Sequence, residues 1–512
     1  MESLLKFFRF LFLIVGVLLN LLLFFLISRL LGRYATTLVI VLSVIEVILL
    51  LNAEGTTVTK LFWAVVIALA PFFGGPLYAL FRYQNRKYRK ARNLSLQHQK
   101  AAPYIKGTYV PADKKAGLIE YLCHTRGFSA YSNTDITFYP WGDLFFADLM
   151  EEIRKAEHYI YIEMFIISKG SVENELFSLL FAKAAEGVDV RILYDGTNML
   201  NRHFPEALKK AAASGISCRI FEPVRPAITV RQNGRDHRKI ISIDGVCAFT
   251  GGFNLADEYA NIISRFGKWK DTGIRLKGEA ALSLTSFFIG MWNADAVKEP
   301  GSLISFEVLS SCPPLRAAVQ ESSDPSTVSP ASITVPYCDG PLYDGTVAED
   351  VYLGILSHAE KYVHIMTPYL ILTDQMLHAL KFTAERGVDV SIILPGIPDK
   401  SMVWWLAHSY YPELIRSGVR IYEYTPGFVH AKEFISDDRE AVVGTVNLDF
   451  RSLYLHFEDA VYMQDCRLAS GMEADFNDTL KDCRLIGQKE YRAFPFIKLA
   501  AGNIARIFAP LL

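Results

Sequence analysis

Residues Gly234–Asn254 read GRDHRKIISIDGVCAFTGGFN, and residues Phe428–Asn447 read FVHAKEFISDDREAVVGTVN. Five chemically pointed positions recur at one offset: His237 and His430, Lys239 and Lys432, Asp244 and Asp437, Gly251 and Gly444, and Asn254 and Asn447 are each 193 residues apart. One such stretch says little; two in register are an internal repeat. In each copy apolar and β-branched residues run up to a turn-forming Asp-Gly or Asp-Asp and a second apolar run follows, which predicts a β-hairpin. Residues two apart on a strand share a face, so His237 points with Lys239 and His430 with Lys432. Displacement at a phosphate diester needs such groups. The lysines neutralise non-bridging oxygens, one imidazole attacks phosphorus and the other protonates the leaving alkoxide.

Outward from the hairpins the chain alternates strands with helices. Leu144–Ala156 is amphipathic, His158–Ile167 reads as a buried strand, Phe177–Glu186 as a helix ending at Gly187, and Val188–Gly196 as a strand. Ala359–Ile371 and Glu385–Gly396 repeat the pattern of Ala156–Ile167 and Ala185–Gly196. The succession predicts an α/β fold whose mostly parallel sheet is covered by helices on both faces, built twice. Pro300–Pro336, rich in Ser and Pro, reads as the linker. The expected organisation is a membrane region over 1–92, a first domain over 104–299, a linker or surface loop over 300–336 and a second domain over 337–512.

Basic and acidic residues balance, 53 against 54, so no whole-molecule field recruits nucleic acid. The seven cysteines are scattered and never spaced as metal pairs, as expected of reduced thiols. Hydrophobic residues make up 51% of the chain, and much of that excess sits near the start. Phe7–Leu31 is long enough to span a bilayer. Thr36–Leu51 is shorter and carries Glu46, and Leu61–Phe81 contains Pro71 and Gly74-Gly75; the two could form a hairpin, or the first could lie at the interface. The basic run RYQNRKYRKAR (Arg82–Arg92) then marks the cytoplasmic side. Lys6 and Arg9 favour an even number of crossings and Arg29 and Arg33 favour three, so two or three remain open.

The doubled signature, His-x-Lys-x4-Asp and then, after six more residues, Gly-[Gly/Ser/Thr]-x-Asn, resembles that of the phospholipase D superfamily. The flanks NGRDHRKI, ISIDG, GGFNLADEY, WKDTGIRLKG and GTVNLDFRS are similar to the bacterial cardiolipin synthase family, over nearly the whole chain. The resemblance implies two tandem phospholipase D-like α/β/α domains about a pseudo-two-fold axis, preceded by transmembrane helices, with both His/Lys pairs in one cleft. It implies a catalytic set of His237, Lys239, Asp244, His430, Lys432 and Asp437. His237 is the expected nucleophile, forming a phosphatidyl-histidine, and His430 the expected acid and then base, with the reverse assignment left open. Lys239, Lys432, Asn254 and Asn447 are expected to bind phosphate, and Asp271 and Glu458 to orient the imidazoles. Asp244 and Asp437 fall at the turns, about 16 Å along the strand from the lysines, which favours a structural role within the motif.

Glu163, Thr367 and Tyr369 are further cleft candidates. Trp404, Trp405, Tyr410 and Tyr411 read either as core or as a membrane-interface patch, and Phe496–Leu512 has apolar residues at helical spacing that could lie on a bilayer. The expected activity is transfer of a phosphatidyl group between two phosphatidylglycerol molecules to give cardiolipin and glycerol. No metal or other cofactor is expected, no nucleic-acid partner, and an oligomer is left open. The expected place is the bacterial inner membrane, multi-pass, with the catalytic domains in the cytoplasm. Alternatives are a phospholipase D-type hydrolase, a phosphatidyltransferase using another alcohol, a nuclease, or a scaffold with a vestigial site.

Overall fold

The computed structural model describes residues 29, 34, 37–53, 55–71, 73–86, 89–109, 117–201, 204–224, 234–295, 303–311, 332–343, 345–464 and 467–509. Apart from Arg29, the apolar run Phe7–Leu31 lies outside these residues, as do residues 312–331 of the expected linker. The chain divides into two compact units, one of Met1–Tyr88, Ile228–Arg231 and Ile504–Leu512, the other of Arg89–Ala227 and Gln232–Asn503.

In the first unit residues 37–51 are helical, and the apolar run from Leu61 to Phe81 is broken into helices Thr57–Leu69 and Gly74–Arg86. Pro71, which has no amide hydrogen to donate, stands between them. Leu50, Phe62, Trp63 and Ile67 form a small core. Among the described residues no helix is long and apolar enough to cross a membrane.

The second unit contains both copies of the repeat. Strands β1 (Thr134–Tyr139), β2 (Tyr159–Met164), β3 (Asp189–Asp195), β4 (Ser217–Phe221), β5 (Lys239–Ile243), β6 (Cys247–Gly251), β7 (Lys268–Lys270) and β8 (Gly273–Gly278) belong to the first half. The second half supplies β9 (Ile333–Asp339), β10 (Tyr362–Met366), β11 (Asp389–Pro395), β12 (Arg420–Tyr424), β13 (Gly427–Val429), β14 (Glu433–Ser436), β15 (Glu440–Gly444), β16 (Glu458–Gln464) and β17 (Cys483–Leu485). One sheet runs β1-β8-β6-β5-β2-β3-β4, and the other, read from its far edge, β9-β16-β15-β14-β10-β11-β12-β17. With β17 set aside, each strand of one sheet has its counterpart in the other, so the sequence repeat is a repeat of topology.

The expectation of a mostly parallel sheet is corrected. Among the described pairings within the two sheets, β2–β3, β3–β4, β10–β11 and β11–β12 are parallel, and the others are antiparallel. Helical crossovers make parallel neighbours, but each motif hairpin returns directly and reverses the chain. Helices Gly142–Arg154 and Ser171–Ala185 cover the first sheet with Phe145, Leu149, Leu176 and Leu180. A second core is shared by both sheets, with Ala248 and Ile274 from one, Val443 and Val461 from the other, and Leu284 and Phe476 from helices Ala280–Asp295 and Arg467–Leu480.

The hairpin turns explain the motif aspartates. Asp244 and Gly245 have φ of +52° and +69°, and Asp437 and Asp438 both have +56°, left-handed pairs at the centre of turns closed by the Val246 amide on the Ile243 carbonyl at 3.2 Å and the Arg439 amide on the Ser436 carbonyl at 2.9 Å. From that position the Asp244 carboxylate accepts hydrogen bonds from the amides of Glu157, His158 and Tyr159 at 2.7–2.8 Å. Asp437 accepts in the same way from Glu360, Lys361 and Tyr362 at 2.7–2.9 Å. Each clamps its hairpin to the start of the neighbouring strand, β2 or β10. Asp244→Ala is therefore expected to cost stability, about 2–3 kcal/mol for the loss of charge-assisted bonds to backbone. The folded fraction should keep its turnover within about twofold, and a thermal midpoint measured beside specific activity checks both.

Candidate active site

A short parallel seam builds the site. β13 pairs with β7, aligning Gly427 with Lys268, Phe428 with Trp269 and Val429 with Lys270. The next amide, of His430, donates to the Lys270 carbonyl at 2.7 Å, which sets His430 beside Asp271. The other half does the same in mirror order. Asp236 bridges Phe457 in parallel, the Phe457 amide donates to the Arg235 carbonyl at 2.8 Å and the His237 amide to the Phe457 carbonyl at 2.9 Å. His237 thus comes to lie beside Glu458.

The carboxylates are exchanged between the halves. His237 Nδ1 lies 2.9 and 3.0 Å from the two Glu458 oxygens, and His430 Nδ1 lies 2.6 Å from Asp271 Oδ2. An Nδ1–H held by a carboxylate leaves Nε2 as the reactive nitrogen. The second glycine position of each motif serves the same end. Thr445 Oγ1 donates to Glu458 at 2.5 Å, whereas a side chain at Gly252 would overlap the Asp271 carboxylate. Asp459 adds to the seam, accepting from the Lys239 amide at 3.2 Å and from Thr250 Oγ1 at 2.5 Å.

Lys239 Nζ donates to the carbonyl of His237 at 2.7 Å, and Lys432 Nζ donates to the carbonyl of His430. An ammonium has three donors, so each is positioned by its own motif with donors left for an anion. Aromatic rings line the histidines: Phe165 lies 4.8 Å from His237, and Tyr259 and Trp269 lie 5.3 and 5.5 Å from His430, centre to centre. Asn254 accepts from the Ile166 amide at 3.1 Å and donates to Tyr259 Oη at 2.6 Å. Asn447 is buried, and its Oδ1 has no hydrogen-bond partner among the described residues.

The two histidines are only 6% and 7% exposed, and this dryness governs their charge. Burial, then Lys239, His456, Lys432 and His430, hold the His237 imidazole well below its usual value. Burial and Lys432 bring His430 down to about 4, against the opposing pull of Asp271. Burial lowers Lys239 to about 8 and Lys432 to about 7. Burial also raises Glu458, whereas for Asp271 it is outweighed by His430 and Lys432, which keep that carboxyl below its ordinary value. Lys432 and His430 act on His237, and Lys239 on His430, so the two sets lie within electrostatic reach of one another.

The structure does not bring every candidate here. Asp244 and Asp437 sit at the turns, as described above. Glu163 is fully buried behind the site, 3.7 Å from the Arg238 guanidinium. Thr367 Oγ1 donates to the Tyr369 carbonyl and accepts from the Leu448 amide, and Tyr369 Oη donates to Asp399 at 2.7 Å. Tyr410 and Tyr411 are buried core residues, while Trp404 packs on His408 and Phe494. Helix Phe496–Ile507 leaves Phe496 and Ile497 about four-fifths exposed.

The family described as "Cardiolipin synthase, PLD-like domain" matches residues 149–262 and 352–480. A protein named cardiolipin synthase from Alkalihalophilus pseudofirmus is 32% identical over 93% of this chain and 93% of its own. The chain belongs to the cardiolipin synthase family. It is a phosphatidyltransferase of the phospholipase D type. An uncharacterised protein of Streptococcus mutans is 41% identical over 91% of this chain and 99% of its own. A crystal structure of phosphatidylserine synthase from Haemophilus influenzae shares the fold, with a TM-score of 0.54 at 18% identity over 74% of this chain and 93% of that one.

The two motifs do not include His456, whose ring centre lies 5.5 Å from that of His237. A signal existed, since His456 and Glu458 are two apart at the start of a strand and so share a face. His237, His456 and Glu458 have ligand atoms within 4.8 Å of one another, close enough for a metal ion. The charges of Lys239, Lys432, Arg451, Lys400 and Arg235 acting on those rings make the place better suited to an anion.

Proposed function

We propose that the chain moves the phosphatidyl group of one phosphatidylglycerol to the terminal hydroxyl of a second, giving cardiolipin and glycerol. The observation that carries this reading is the exchange of carboxylates across the seam, which supports two imidazoles and two ammonium groups acting on one phosphorus. His237 Nε2 attacks phosphorus, the bond to the glycerol oxygen breaks, and His430 gives that oxygen a proton. The hydroxyl of the second lipid then passes its proton to His430 and attacks phosphorus, and the bond from phosphorus to His237 breaks. Lys239 and Lys432, with Asn254 and Asn447, hold the non-bridging oxygens as charge develops.

Electrostatics supports this division of labour. His237 is held neutral and so keeps its lone pair, while the ionised Asp271 steadies an imidazolium at His430. A bound diester adds negative charge that raises both histidines and both lysines, so the proton arrives with the substrate. Transfer between like diesters requires no nucleotide. Two lipid substrates favour a multi-pass protein of the bacterial inner membrane, and the basic run after Phe81 favours catalytic halves on the cytoplasmic side.

The test is to supply the full-length protein with vesicles of phosphatidylglycerol alone and follow products by mass spectrometry. Cardiolipin and glycerol should rise together in equal amounts. Phosphatidic acid as the main product would make water the acceptor and overturn the reading.

A further inference from the structure

The transfer steps above leave His456 unused. It is 9% exposed, and neither ring nitrogen has a hydrogen-bond partner among the described residues. Besides its place against His237, the ring lies 6.5 Å from Phe165, and its Nδ1 is 3.8 Å from Glu458. The charges of Arg451, Lys400, Lys239 and Arg235 reach the ring, and backbone bonds tie its own segment to those of two of them. The His456 amide closes onto the Arg451 carbonyl at 2.8 Å, and the Phe457 amide onto the Arg235 carbonyl. Lys400, with 59% of its side chain exposed, is held by Tyr369 Oη at 3.2 Å, lies 4.8 Å above that ring and stands 3.8 Å from Asp399 Oδ2.

These groups repel one another. Burial, then Arg451, Lys400, Lys239 and Arg235, press the His456 imidazole well below its usual value. Arg451 is itself held below the ordinary arginine value by burial, with Asp449 opposing and Arg235 adding. Arg235 already donates to the Glu222 carbonyl at 2.8 Å and lies 3.7 Å from Asp195, so it contributes field more than a free donor. A neutral ring with an unused N–H among like charges gains most when an anion arrives.

We propose that His456, Arg451 and Lys400, in the field of Arg235, form a second phosphate subsite that holds the acceptor lipid's own phosphodiester while its terminal hydroxyl meets the phosphorus under transfer. The proposal rests on the reading of phosphatidylglycerol as acceptor. Lys239 and Lys432 serve the reacting phosphate; cardiolipin carries another, one three-carbon glycerol bridge away, and the His456 ring stands next to that of His237 on the matching scale. Water, serine and ethanolamine carry no phosphate and draw nothing from the subsite. It would therefore select a phospholipid acceptor over a small alcohol by differential binding.

The experiment compares two reactions of the full-length enzyme in phosphatidylglycerol vesicles: cardiolipin formation, and exchange of radiolabelled glycerol into phosphatidylglycerol. Both send the same phosphatidyl group through His237, but the acceptor in the second lacks a phosphate. For Arg451→Gln combined with Lys400→Gln, the ratio of cardiolipin formation to glycerol exchange should fall tenfold or more, and Arg451→Lys should recover part of it. An unchanged ratio overturns the subsite, whether both rates fall or neither does. If the Arg451 change prevents folding, Lys400→Gln alone, at an exposed position, should still lower the ratio, and no change there overturns the proposal. A wild-type enzyme that makes no cardiolipin would overturn the proposed function itself, before any variant is compared.

Discussion

In His237→Ala, cardiolipin formation falls by on the order of 10³–10⁴-fold, and a phosphatidyl ester with a good leaving group such as p-nitrophenolate does not restore turnover. His430→Ala loses a similar factor with phosphatidylglycerol but regains much of the release step with that ester, because p-nitrophenolate leaves without a proton. The contrast separates attack from protonation, and rescue of His237→Ala in place of His430→Ala would reverse the two roles. The exchanged carboxylates extend the expectation. Glu458→Gln should lower turnover by about 10–100-fold, as loss of an orienting partner commonly does, and should couple to His237 in a double-mutant cycle. Asp271→Asn should couple to His430. Coupling of Asp271 to His237 instead would contradict contacts made at 2.6 and 2.9 Å across the seam.

Arg238→Met is expected to unfold the catalytic unit at markedly milder conditions, by about 3–5 kcal/mol, the usual consequence of removing one member of a buried ion cluster. Arg238 is wholly buried and points away from His237 and Lys239. Its Nη2 donates to Tyr343 Oη at 3.0 Å, and its guanidinium faces the rings of Tyr343 and Phe457, both from the second half. Beside it lie Glu163 and Asp236. Burial, then Asp236, raise Glu163 well above the carboxylate range, and burial brings Asp236 up to about 6 despite Arg238. Without the guanidinium Asp236 would lose the charge that most opposes its burial, and Glu163 its partner at 3.7 Å. Adding Glu163→Gln to Arg238→Met should therefore return part of the loss, and thermal or denaturant midpoints measure it. Equal midpoints for Arg238→Met and wild type would mean that the cluster contributes nothing net.

Much of this protein was legible in its residues. The offset of 193 between the two motifs pointed to two like halves, and apolar runs on either side of Asp-Gly and Asp-Asp pointed to two hairpins, whose left-handed turns the structure supplies. Strand period alone put each histidine with its lysine, and distance along the strand removed Asp244 and Asp437 from the chemistry. Periodicity did not give the direction of every strand, since a buried run reads alike in parallel and antiparallel sheets, and the hairpins made most pairings antiparallel.

Only the tertiary structure decided which acid serves which histidine. Asp271 follows the first motif and Glu458 the second, so sequence order suggests partners within each half, whereas the contacts span 159 and 221 residues in the opposite sense. The reason is that the exchange depends on the pairing of β7 with β13 and of Asp236 with Phe457. Segments of one to three residues carry no periodicity from which pairing or register could be read, and their backbone bonds form only when the two halves are packed together. The same packing buries Arg238 against Tyr343 and brings His456 beside His237, so neither half contains the site by itself.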